Sequence, residues 1–287
     1  MTELLLYPQV VLLLAPVLLR GIWAAGRASL DAMAPRDRAR VLFVLIVLPV
    51  AAIGVPYIPA LAPHLSLPWR APIAWGIANF PAPTDWVAHT ILTIIAAMLV
   101  VVPPAALALL LARSARTAHN LSARLGGEPH QAGFILVPGR AVACTIGLWR
   151  PRVFLSADIW ASGHGTTILA HEQAHAHGRH NLLLVIACAS LTLWWWLPGT
   201  RRLLADFRQA LEESADASAA RRHGRTRVAR AILDTATTGA PMPALGFGGG
   251  QTLERRVLTL SRDASVSRTR AMLIASTIIA ILWIVLL

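Results

Sequence analysis

The stretch His171-Glu172-Gln173-Ala174-His175 is where residue type and spacing speak most directly of chemistry. On a helix, positions four apart lie one above the other on the same face. Two imidazoles so placed can grip one zinc ion, with Glu172 beside it to take a proton from water. The ion lowers the pKa of such water from about 15.7 toward roughly 7. Glu172 can then pass the proton to a leaving amine. Isolated five-residue matches of this kind also arise by chance. His177 and His180 follow the run, so a merely His-rich helix end is the bland alternative, and a third ligand has to decide.

Glu212-Glu213-Ser214-Ala215-Asp216 supplies one. Glu212 and Asp216 are again four apart and share a helix face. Glu212 completes a set of two histidines and one glutamate that leaves a fourth position open. Asp216, one turn on, can accept a hydrogen bond from a ligand histidine and orient it. Glu213 points about 100° away from Glu212 and is expected on the surface, as on an ordinary acidic helix face.

Two helices must carry these groups. Residues 167–180 read as the first, with Ser162 or Thr166 as its cap, and residues 202–223 as the second. Short strands are expected at 134–137 and 152–155. The Gly- and Pro-rich stretch 238–250 reads as a loop or linker.

Composition points to a membrane protein. The chain is 56% hydrophobic and 14% charged, where a soluble domain carries about a quarter charged residues. Four runs, 4–25, 41–61, 86–111 and 271–287, approach the roughly 20 apolar residues that a span needs. All 26 basic residues are Arg, and the net charge is +12. Twenty of those Arg lie within 113–270 among ten of the 14 acidic residues, not in a basic run interleaved with aromatics, so nucleic-acid binding is not expected. Four Arg in 26–40 against one in 62–85 place the first loop in the cytosol and the second outside. Cys144 and Cys188, the only two cysteines, imply no disulfide framework.

The expected architecture is therefore a mainly α membrane protein of about four transmembrane helices with a small α+β HExxH zinc peptidase domain. Residues 1–112 would hold three spans, 113–270 the membrane-associated peptidase domain facing the cytosol, and 271–287 the last span. The chain would sit in the bacterial cytoplasmic (inner) membrane, with the lipid bilayer as a partner. A fifth apolar run, 182–198, cannot cross once without separating Glu212 from the histidines, so it is expected to be re-entrant, interfacial or buried against other helices. Its Trp194, Trp195 and Trp196 read as an interfacial anchor. His64 and His89 read as loop or span-end residues.

Four stretches resemble the BlaR/MecR-type integral membrane zinc peptidases of the gluzincin group. They are Thr145 to Leu155, His171 to Leu183, Trp194 to Pro198 and Glu212 to Asp216. Leu245-Gly246-Phe247 and Glu254-Arg255-Arg256-Val257 give a weaker match. The family more often has Asp where His180 stands. The resemblance implies one Zn2+ per chain and a regulatory endopeptidase that cleaves a cytosolic winged-helix transcriptional repressor and itself. The large extracellular penicillin-binding sensor domain of the best-known members has no counterpart here. By analogy, Arg152, Val153, Phe154 and Leu155 form an edge strand that pairs with substrate, or else an ordinary core strand. Arg222 and His223 are candidates for stabilising the oxyanion.

Two other readings share these motifs. One is a quality-control or prenyl-type membrane zinc protease, whose members place two full spans between the motifs where this chain has room for one at most. The other is a non-catalytic, zinc-binding signalling scaffold, which would have no use for Glu172 as a base. The oligomeric state is left open.

Overall fold

The computed structural model describes residues 3–54, 86–139, 141–194, 197–237 and 251–261. Helices α1 (Glu3–Asp31) and α2 (Pro35–Gly54) form a hairpin, followed by the long α3 (Trp86–Leu125). Strands β1 (Glu128–His130), β2 (Phe134–Val137), β3 (Ala143–Ile146) and β4 (Arg152–Ser156) come next. The short α4 (Ala157–Ala161) then leads into α5 (Gly165–Gly178), α6 (His180–Thr192), α7 (Thr200–His223), α8 (Arg225–Thr237) and α9 (Gln251–Ser261).

The four strands form one sheet in the order β1-β2-β4-β3. β4 runs parallel to β2 and antiparallel to β3. Its successive side chains point to opposite faces. Val153 and Leu155 therefore pack with Leu169 of α5, and Phe154 packs with Ala118 and Leu125 of α3. The sheet is thus sandwiched between α3 and α5. Burial on both faces explains the unbroken apolar run of β4. Of the two readings of Arg152 to Leu155, the edge strand is corrected and the core strand is found: β4 is paired on both sides and cannot accept another strand, whereas β3, among the described residues, is paired on one side only.

The membrane architecture is corrected as well. No helix among the described residues is long and apolar enough to cross a membrane. That finding overturns the expected spans at 4–25 and 86–111, and with them the multi-pass placement in a bacterial inner membrane, while 55–61 and 271–287 lie outside the described residues. The physical reason is that hydropathy registers how apolar a run is, not what it packs on. Leu19 and Trp23 of α1 and Leu42, Leu45 and Ile46 of α2 are buried in one cluster with Leu184 and Ala187 of α6 and Phe207, Ala210 and Leu211 of α7. α2 also opens with Arg36, Asp37, Arg38 and Arg40. α3 carries Arg113, Arg116 and Arg124. The awkward fifth run is α6, whose 13 residues make a rod of about 20 Å, short of the roughly 30 Å of a bilayer core. Trp194 is fully buried in the protein and is no interfacial anchor. His64, Trp195, Trp196, the loop 238–250 and the run 271–287 lie outside the described residues, as do the side chain of His89 and the outer loop 62–85.

Candidate metal centre

The fold brings α5 and α7 together through small residues. Ala170 of α5 shares a buried cluster with Ala219 of α7, flanked by Val228 and Ile232 of α8 and Leu260 of α9. Close approach of the two helices lets short side chains meet across the gap. His171 Nε2 lies 3.1 Å from His175 Nε2 and 3.5 Å from Glu212 Oε2, and His175 Nε2 lies 3.6 Å from Glu212 Oε1. These ligand atoms all lie within 4.8 Å of one another, and the three residues could hold a metal ion.

The outward nitrogens of both rings are engaged. His171 Nδ1 is 2.9 Å from Asp216 Oδ1. Asp216 is in turn gripped by Arg256 of α9 through Nε and Nη2, both at 2.7 Å. His175 Nδ1 is 2.9 Å from His180 Nδ1. With both Nδ1 atoms occupied, the Nε2 atoms are the ones free to act as ligands.

The electrostatics favour a positive charge at the centre. Asp216 and Arg256 neutralise each other, leaving the Glu212 carboxylate facing two imidazoles. Burial opposes charge on His171, but Asp216 and Glu212 together raise its pKa to about 10. Burial lowers His175 to about 4. Burial, and then the neighbouring His175, lower His180 to about 3. Glu212 is held well below the ordinary carboxylate range by His175 and His171 in spite of its burial. A neutral His175, a His171 that gives up its proton to bind metal, and an ionised carboxylate, set around a place that stabilises positive charge, are the donor set of a divalent ion.

Glu172 is buried, and burial raises its pKa, the direction that suits a proton acceptor working near neutrality. The Thr145 hydroxyl of β3 lies 2.8 Å from both its main-chain oxygen and its Oε2. Asn181, at the start of α6, donates to the carbonyls of Thr145 at 2.8 Å and Gly147 at 3.3 Å, fastening β3 to the metal helix. The cluster opens into a cavity of about 520 Å³, with β3 along one side and Val228, Ile232 and Thr235 of α8 among its other lining residues. Arg256 also lines it, with Nη1 3.5 Å from Glu212 Oε2.

Five sequence-derived residues thus come together: His171, Glu172, His175, Glu212 and Asp216. The oxyanion candidates do not join them. Arg222 is exposed and donates to Gln173 Oε1 at 2.9 Å, and neither it nor His223 lines the cavity. Glu213 is not the surface residue expected. It is 1% exposed, accepting from Arg38 Nη1 at 2.9 Å and Gln209 Nε2 at 3.0 Å and ion-paired with Arg255 Nε at 3.2 Å. Thr145 and Asn181 lie in stretches that carry the resemblance, but the sequence reading assigns neither a role. Arg256 had a usable signal: it shares the helix face of Leu253, Val257 and Leu260, and an arginine on an apolar stripe needs a buried partner. The cap expected at Ser162 or Thr166 is taken by His164, without a side-chain bond.

No family model matches the chain, and no curated protein or solved structure matches it either.

Proposed function

We propose that the chain is a zinc endopeptidase that hydrolyses peptide bonds of a segment laid along β3. The observation that carries this reading is the convergence of His171, His175 and Glu212 beside a buried Glu172 in a cleft walled by an edge strand. Zinc suits two imidazoles and a carboxylate with an open position, and when bound it supplies Lewis acidity toward water and a carbonyl.

The chain's own residues supply the rest. Among the described residues no strand pairs with the outer edge of β3, which leaves that edge open to an extended substrate. Glu172, steered by Thr145, takes a proton from the attacking water as its oxygen bonds to the scissile carbonyl carbon. When the C–N bond breaks, Glu172 returns that proton to the departing amine nitrogen. Arg256, the arginine among the residues lining the cavity, serves the negative charge that grows on the carbonyl oxygen, in place of Arg222 and His223, which do not line it. The resemblance to the BlaR/MecR-type peptidases adds a biological substrate, a winged-helix transcriptional repressor and the chain itself.

The test is Glu172→Gln, assayed on a denatured protein and a fluorogenic peptide library. The variant should keep its zinc while cleavage falls by about 10²- to 10⁴-fold, the usual worth of a positioned acid–base group. Cleavage at the wild-type rate would overturn the reading.

A further inference from the structure

We propose that His180 is the positioning residue that makes His175 a ligand, by accepting the Nδ1 proton of His175 and so leaving the His175 Nε2 lone pair aimed at the ion. This rests on the zinc reading above and adds a tautomer assignment to it.

The argument begins with the two Nδ1 atoms, 2.9 Å apart. Such a contact holds only when one nitrogen carries hydrogen and the other a lone pair. The rings stand at 90° with centroids 4.8 Å apart, so they do not stack, and their closest polar approach is between the two Nδ1 atoms. Two arrangements exist. If His180 donates, a neutral His175 carries its hydrogen on Nε2, pointed at His171 Nε2 and Glu212, and it cannot ligate. If His175 donates, its Nε2 is free and His180 keeps its own hydrogen on Nε2. Only the second arrangement is compatible with a metal.

The chain is shaped to hold His180 in this seat. Arg179, with φ of 48°, turns α5 sharply into α6 and folds the next residue back over the metal helix. A Cβ built on Gly178 would meet His180 Nε2 at 2.3 Å and Cδ2 at 2.5 Å. Glycine therefore clears the space that the ring occupies. His180 itself is buried.

The two ligand histidines are consequently backed differently. His171 leans on a carboxylate that Arg256 pins in place, whereas His175 leans on a neutral imidazole. A neutral acceptor orients the ring but adds no negative charge to the site. Replacing it by a carboxylate should therefore tighten metal binding, while removing the acceptor should weaken it.

Zinc affinity of the full chain, measured by competition with a chromophoric chelator, reads this directly. His180→Phe fills the space without an acceptor and should weaken zinc about 10- to 100-fold, the range for lost partners of ligand histidines. Gly178→Ala should do the same by expelling the ring with its imidazole chemistry untouched. His180→Asn, whose side-chain oxygen accepts the same proton, should regain most of the loss, and His180→Asp should bind more tightly than wild type. Nitrogen-15 spectra of the zinc-loaded wild type, histidine-labelled, should show His175 protonated at Nδ1 and His180 protonated at Nε2. That measurement stands even if a variant does not fold. A His180→Phe protein with wild-type affinity, or a His180 carrying its proton on Nδ1 in the loaded protein, overturns the proposal and leaves the peptidase reading intact. A wild type that binds no zinc overturns both.

Discussion

Glu212 and Glu213 are neighbours in sequence and opposites in environment. Glu212 faces the cavity, where two imidazoles meet its carboxylate across gaps of 3.5 and 3.6 Å. Glu213 faces the α1–α2 hairpin, where Arg38, Arg255 and Gln209 close on it at 2.9 to 3.2 Å. Helix α9 repeats the division, with Arg255 turned to Glu213 and Asp31 and Arg256 turned to Asp216 and Glu212. One side of α7 is a finished ion-pair network that holds helices together. The other converges its donors on a point. A buried acid whose partners saturate it is scaffold, and one whose partners leave a common focus is able to hold an ion.

That contrast can be broken at several places. The largest effect is expected on the scaffold side. Glu213→Ala strands the buried Arg38 guanidinium and should cost about 3–5 kcal/mol of stability, the usual result of halving a buried pair. Denaturant unfolding checks it, and zinc stoichiometry should be unchanged at temperatures where the variant remains folded. Next comes Asp216→Leu, which leaves no acceptor and releases both His171 and Arg256. Zinc affinity should fall about 10- to 100-fold, and chelator competition reads it. The smallest is Thr145→Val, which frees the Glu172 carboxylate. The turnover number should fall about tenfold, the worth of one hydrogen bond to a charged group, with zinc affinity unmoved. If Glu213→Ala instead stripped the metal and kept its stability, the division of α7 into two faces would be wrong.

The metal-binding motifs were legible in the sequence because their spacing is a property of the helix alone. His171, His175, Glu212 and Asp216 need only a period of 3.6 residues to line up. Strands β2 and β4 were legible from their apolar side chains. β3 was not, because Ala143-Cys144-Thr145-Ile146 faces the cleft and lacks an apolar run. The continuous apolar run of β4 was itself the mark of a central strand and could have decided between the edge and core readings left open for it. Glu213 and His180 were misjudged or left unused for another reason. Their roles depend on partners 175 residues away, in Arg38, or across the sharp turn at Arg179. The apolar runs of α1, α2 and α6 misled most, since the same composition serves lipid or a protein interior and only the packing tells them apart.

The central claim is that His171, His175 and Glu212 close on one ion. Calorimetric zinc titration of the purified wild type and of Glu212→Ala tests it most directly. The account predicts about one tight equivalent in the wild type, with proton release near neutral pH because His171 must surrender the proton that its raised pKa retains. Glu212→Ala should lose the tight phase. A wild type that takes up no zinc, or a variant that binds it as tightly as the wild type, would contradict the account.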